Sequence, residues 1–514
     1  MAVAVPKTSS RTGEQFLEAL NDGRRVFING EQIDNVATHP KTAGYSKQLA
    51  RFYDLHHDPE LLDVLTYVDE DGIRRQGQWF LPKNKQELAF KRRYHETIVR
   101  EIGFGQFGRT PDANATISIT FIDDPDPWTE HSVGTEGKVV SENLINYWNL
   151  MKAGDLNVPP AVIDSQPNRS EQAAYHESPD LRVIERNDAG IVVRGVKAVA
   201  TGVVWGDRLL VGVYYRPGME PDQIAFFHVP VNAEGLTMVC REPLDKPDGA
   251  DVDHPLASLG DELEGMVIFD NVFIPWGDVF HLGNPEHAKL YPQRLFDFLH
   301  WQDLTRQVVK AELMVGLSIL MADSIGTLKI PAIQIRLSDL VRFREALLAH
   351  LIASEDTGFM SPGGMYRPNN RFYDFGRAYY LEHAPKFIHE VLDLAGRGTV
   401  ITPMDGDWEH PEIGEWLKPL MRGRTTEDER LRILRVMRDA YTSEWAQRNA
   451  LFDNFNGTPL TATRLLTMNR TEYHPDGPLT VLARQACDLP LAEGQRTHRD
   501  EAPAYIQRID AETF

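Results

Sequence analysis

The hydrophobic pattern changes period twice along this chain, being helical up to about residue 155, strand-like from 156 to 280, and helical again beyond. The middle section carries six short runs rich in β-branched and aromatic residues: Leu181–Glu185, Gly190–Val199, Leu209–Tyr215, Ile224–Val229, Leu236–Arg241 and Met266–Ile274. Turn sequences such as Asn187-Asp188-Ala189-Gly190, Arg216-Pro217-Gly218 and Asn232-Ala233-Glu234-Gly235 separate them. No helix-length pattern lies between the runs, so they predict an antiparallel barrel or sandwich.

The flanks read differently. Asn84 with Glu87 forms a capping box ahead of a helix over Gln86–Ile102, which places Phe90, Tyr94, Ile98 and Ile102 along one side and Arg100 in the last turn. A second helix is predicted over Glu142–Ala153. Between them, Gly103-Phe104-Gly105-Gln106-Phe107-Gly108 spells G-x-G-x-x-G. A helix precedes it and no strand does, so it predicts a flexible turn and no dinucleotide site. After Pro292, helical patterns over Asp303–Gly326, Ile333–Glu355, Tyr373–Gly396 and Thr426–Asn454 fit a four-helix bundle, with a tail from Thr461. The predicted domains are 1–155, mainly helical; 156–280, β; and 281–514, bundle with tail.

Charge and cysteine content exclude several classes of function. With 54 basic and 75 acidic side chains the net charge is -21, which repels nucleic acid and anionic membranes. Cys240 and Cys487 are the only cysteines and stand far apart, leaving no material for a disulfide framework or a structural zinc site. The start has no apolar leader, and no run approaches a membrane span, so a soluble cytoplasmic protein is expected. His56-His57-Asp58 lacks metal-ligand spacing, and neither G-x-S-x-G nor a P-loop occurs, so no metal is expected and hydrolase or kinase readings have no anchor.

Polar groups of another kind recur in loops. Asp453-Asn454-Phe455-Asn456-Gly457-Thr458 follows the last helix, and Gln166-Pro167-Asn168-Arg169 and Ala200-Thr201-Gly202 belong to the β section. Together they offer amides, a guanidinium, hydroxyls and close backbone approach for a planar heterocycle with a phosphate tail; separately each is ordinary loop chemistry. His287 stands where the β section meets the bundle, either as a titratable group at a domain interface or as a plain loop histidine.

The chain resembles the oxygenase components of two-component, reduced-flavin-dependent aromatic hydroxylases, the 4-hydroxyphenylacetate 3-monooxygenase family. The carriers are Tyr94-His95-Glu96-Thr97 with Arg100, Asn168-Arg169-Ser170, Gly195-Val196-Lys197-Ala198 with Thr201, Phe269-Asp270-Asn271-Val272-Phe273-Ile274-Pro275-Trp276, and Asn454-Phe455-Asn456-Gly457-Thr458. Leu20-Asn21-Asp22-Gly23-Arg24, Tyr53-Asp54-Leu55-His56-His57 and His287-Ala288-Lys289-Leu290-Tyr291-Pro292-Gln293-Arg294 are similar to the chlorophenol 4-monooxygenase branch.

The resemblance implies an α+β, acyl-CoA-dehydrogenase-like fold: helical domain, antiparallel β-barrel and four-helix bundle. It implies a homotetramer that takes FAD as FADH2 from a separate NADH-dependent flavin reductase, with O2 as co-substrate. Asn157, Gln166, Asn168, Arg169, Thr201, Asn454, Asn456, Gly457 and Thr458 are its implied flavin contacts. For the phenol it implies Arg100, with Phe104 where relatives have tyrosine, Pro160 near their histidine, and His287 as base. The implied reaction is para attack by a C4a-hydroperoxyflavin on a halogenated or nitro-substituted phenol, with loss of halide or nitrite. Ortho-hydroxylation to a catechol and flavin binding without turnover are the competing expectations.

Overall fold

The computed structural model describes residues 7–8, 10–124, 141–165, 179–216, 218–247, 249–285, 288–289 and 297–497. All six predicted strands form, five with shifts of one or two residues at an end, while Leu209–Tyr215 shortens to Arg208–Val211. They belong to two sheets, ordered Glu31–Gln32, Val26–Ile28, Leu236–Cys240, Glu264–Pro275, Gly190–Thr201, Arg182–Arg186, and Val279–Leu282, Ala225–Pro230, Arg208–Val211, Pro160–Ala161. Phe227 of one sheet meets Phe269 of the other edge-on at 6.2 Å, within the shared apolar core.

Two expectations change here. The barrel is open: among the described residues the isolated pairing Ile163–Val199 links the sheets, and no ladder closes them. Nor is every pairing antiparallel, since Val26–Ile28 runs parallel to Leu236–Cys240 and Pro160–Ala161 parallel to Arg208–Val211. Strands of two or three residues are too short to announce a period, yet a sheet edge recruits them because its free N–H and C=O groups need partners.

The helices follow the predicted spacing. Lys85–Glu101 starts where the Asn84 side chain accepts the Glu87 N–H at 3.0 Å, and it buries Tyr94, Ile98 and Ile102. Asp297–Ser324, Pro331–Asp356 and Asn370–Ala395 pack together, joined by Glu427–Tyr441. The single helix expected over Thr426–Asn454 is two, Glu427–Tyr441 and Glu444–Phe455, because Ser443 accepts the Ala446 N–H and caps the second at its own start. That break re-aims the segment carrying Phe452 to Thr458.

Candidate active site

The G-x-G-x-x-G turn is a packing device. Gly105 (φ +85°) receives the Arg306 guanidinium on its carbonyl at 3.3 Å, which presses the turn onto the Asp297–Ser324 helix. At Gly108 a Cβ would lie 2.1 Å from Phe452 Cε1, so only glycine lets the turn touch the Glu444–Phe455 helix. The wholly buried Glu262 then ties three parts of the chain together. It accepts the Gly108 and Arg109 N–H groups at 2.7 and 2.6 Å, the Tyr45 hydroxyl at 3.0 Å and Arg448 at 2.9 Å.

This arrangement fixes Arg109, whose side chain is buried and whose Nη1 has no hydrogen-bond partner among the described residues. Its guanidinium lies 5.7 Å over the Phe452 ring. Burial pulls its pKa down, and the charges of Asp303, Glu262 and Tyr214 oppose that only in part. Behind it, His95 donates Nδ1–H to Asp112 at 2.7 Å in the first turn of the Pro111–Asp123 helix, both side chains being fully buried. A buried cation with an unused donor is costly unless an anion meets it.

Two further walls face the same region. Gly202, left-handed at φ +76° just after Thr201, approaches Arg109: its Cβ position is 3.8 Å from that of Arg109. Burial raises the hydroxyl pKa of Tyr214, and the charges of Arg109 and Arg377 pull it down. The bundle contributes the Asn456–Thr458 loop. Arg377 donates Nη1–H to Thr458 O at 2.6 Å and Nη2–H to Asn456 O, while Asn456 gives its amide to Asp303 at 2.9 Å. Gly457 has φ +77°, and the Asn456 Oδ1 is buried without a partner.

The expected site residues fare unequally. Asn456, Gly457 and Thr458 share this loop, Thr201 ends the Gly190–Thr201 strand next to Gly202, and Asn454 is exposed. Asn157 is buried with its side chain engaged at both ends, accepting from Asn114 at 2.9 Å and donating to Trp205 O at 3.0 Å. Pro160 is buried in the short strand beside Leu210. Arg100 is two-fifths exposed and held by Glu96 and by both oxygens of Glu312, at 2.8 and 2.9 Å. Phe104 is half exposed with φ +54°. Gln166, Asn168, Arg169 and His287 lie outside the described residues. Sequence reasoning missed Arg109, Glu262, His300 and Arg377. Only Arg109 had a local signal, an arginine between a glycine turn and the helix start Thr110-Pro111.

Fold and site define a class first: helices, a pair of β-sheets and a helical bundle around the buried Arg109, with the Asn456–Thr458 loop held by the bundle. The expected order of helical part, β part and helical bundle is present, with the sheets open. The family follows from comparison. The family descriptions "4-hydroxyphenylacetate 3-hydroxylase N terminal" and "C terminal" match residues 12–281 and 289–476, and the chain belongs to that family. It is 51% identical over 502 residues to 2,4,6-trichlorophenol monooxygenase of Cupriavidus pinatubonensis, covering 98% of this chain and 97% of the relative. An FADH2-dependent monooxygenase of Burkholderia cepacia is 48% identical, covering 97% of each. The oxygenase component of a 4-nitrophenol 4-monooxygenase/4-nitrocatechol 2-monooxygenase of Rhodococcus opacus is 47% identical, covering 92% and 90%. Among solved structures, the oxygenase component of 4-hydroxyphenylacetate 3-monooxygenase complexed with FAD superposes with a TM-score of 0.85 at 26% identity, covering 93% of this chain and 98% of that one.

Proposed function

We propose that this protein is the oxygenase of a two-component system that uses reduced FAD and O2 to hydroxylate halogenated or nitro-substituted phenols at the substituted para carbon. The observation that carries the reading is Arg109, a buried guanidinium with an open Nη1, in a chain about half identical to chlorophenol and nitrophenol monooxygenases. Its charge suits a phenolate, and Arg109 replaces Arg100 in that role because Arg100 is already neutralised by two surface carboxylates.

The flavin fits the residues present. Asn456 Oδ1 has no partner among the described residues, and the left-handed Gly457 opens the backbone for close approach, with Thr458 next in the loop; Thr201 joins the set by family resemblance. Gln166, Asn168 and Arg169 belong to the same set by family resemblance. Reduced FAD with O2 supplies an electrophilic oxygen. The chain's part is to bind the phenol, hold its oxygen at Arg109 Nη1, and keep water out. His287 takes the phenolic proton, which places electron density on the para carbon. Hydroxyl adds to that carbon; the C–X bond then breaks, X⁻ leaves with the bonding electrons as halide or nitrite, and the new hydroxyl loses its proton to leave a quinone.

A separate flavin reductase supplies the reduced cofactor. The exposed Val400, Ile401, Trp416 and Leu420 support subunit association, and a homotetramer is the state proposed. No helix among the described residues is long and apolar enough to cross a membrane. The function is tested by incubating the protein with reduced FAD, O2 and a panel of para-substituted phenols while released halide or nitrite is measured. Equimolar release with quinone or hydroquinone supports it; a catechol with the substituent retained indicates ortho-hydroxylation; no phenol-dependent product refutes both.

A further inference from the structure

At Thr458 the loop's backbone N–H meets a histidine acceptor. The Thr458 N–H points at His300 Nε2 at 3.2 Å, and His300 Nδ1 lies 3.0 Å from Asp374 Oδ1. A backbone N–H can only donate, so Nε2 must carry its lone pair and Nδ1 the proton, which goes to Asp374. The neutral Nδ1–H tautomer is therefore the form that fits this loop. Gly457 makes the contact close: a Cβ there would sit 2.6 Å from His300 Nε2.

Resting on the flavin reading above, we propose that His300 is a positioning residue that latches the flavin-facing loop while neutral and releases it when protonated. Protonation turns Nε2 into a donor facing a donor, and the Thr458 N–H loses its acceptor, leaving Arg377 on Thr458 O as the remaining hold there. Among the described residues, the titratable and charged groups near His300 come from several elements. The Asn370–Ala395 helix brings Asp374 and Arg377, and the latter is committed to Thr458 O, Asn456 O and Asp303. His300's own helix brings Asp303, which is shared with Arg306, Arg377 and Asn456. Arg470 approaches the second Asp374 oxygen at 3.8 Å, and Arg464 of the Leu460–Met468 helix is spent on Glu382. From the Pro331–Asp356 helix, His350 packs at Gly376 with its Nδ1 on Ala346 O. Asp374 is the carboxylate that receives the His300 proton, so it sets how readily the second proton binds.

The test is anaerobic titration of the full-length protein with reduced FAD from pH 5.5 to 8.5, with hydrogen exchange at the Thr458 amide of the flavin-free protein as a second readout. In the wild type the dissociation constant should rise on the acid side with a limiting slope of about tenfold per pH unit, one proton being expelled per flavin bound. His300→Gln offers a non-titrating acceptor at the ε position, so it should keep the affinity at pH 8 and lose the acid limb. His300→Leu leaves the Thr458 N–H unpaired at every pH, so it should bind about tenfold more weakly than the wild type at pH 8, show no acid limb, and unprotect that amide. Asp374→Asn should move the acid limb to lower pH. An acid limb unchanged in His300→Gln, or wild-type affinity in His300→Leu at pH 8, overturns the proposal. A wild type that binds no reduced flavin defeats the functional reading instead, and the amide-exchange comparison then still decides the latch.

Discussion

Replacing Arg109 and Arg100 in turn separates the buried cation from the surface one. Methionine at position 109 keeps an unbranched chain against Phe452 while removing the guanidinium whose Nη1 is open. Truncating one partner of a buried charge pair typically costs about 2–5 kcal/mol, and 1.4 kcal/mol is a factor of ten, so Arg109→Met should weaken phenolate binding by roughly 30-fold to 1000-fold or more. Folding stability should hold or rise, because an unpaired buried charge disappears. Arg100→Met removes pairs with Glu96 and Glu312 that lie near the surface, where the median contribution is about 0–1 kcal/mol, and phenol affinity should change less than about threefold. Calorimetric titration of 2,4,6-trichlorophenol into each variant, anaerobically with reduced FAD present, measures both. A large loss in Arg100→Met beside a near-normal Arg109→Met would refute the assignment.

Three other outcomes follow from the same structure. Lys91 is fully buried on the carbonyls of Gly77 and Gln78, and burial pulls its pKa from 10.5 to about 7 against the charge of Asp112. The unfolded chain therefore binds the extra proton between about pH 7 and 10.5, so stability should rise with pH in that window by up to about 1.4 kcal/mol per unit; Lys91→Met should flatten the slope in urea unfolding. Gly108→Ala puts a Cβ 2.1 Å from Phe452 Cε1 and should cost about 1–3 kcal/mol in thermal unfolding, with weaker phenol binding as Phe452 is pushed from Arg109. Gly457→Ala forces φ +77° on an L-residue at a cost of about 1–2 kcal/mol and drives a methyl into His300; anaerobic titration should show reduced FAD weakened more than phenol.

Legibility in the sequence followed the range of the interactions. The six strands and the long helices declared themselves because their periods are local, and the Thr426 and Asn84 caps did so within four residues. Whether the sheets close, and that Val26–Ile28 pairs with Leu236–Cys240, depends on partners some 210 residues apart. The break at Ser443 was hidden because an apolar stripe continues across it. The Asn456–Thr458 loop was visible from its composition. Arg100 and Arg109 look equally plausible as text, and only burial distinguishes a guanidinium spent on Glu312 from one left open beside Phe452.

The most direct test is a single turnover under ¹⁸O2 with reduced FAD and 4-nitrophenol, with products resolved by mass spectrometry and nitrite quantified. One nitrite per product, and one ¹⁸O on the carbon that carried the nitro group in a quinone or hydroquinone, is the predicted result. A product that retains its nitro group, or nitrite release without ¹⁸O in the ring product, would contradict it.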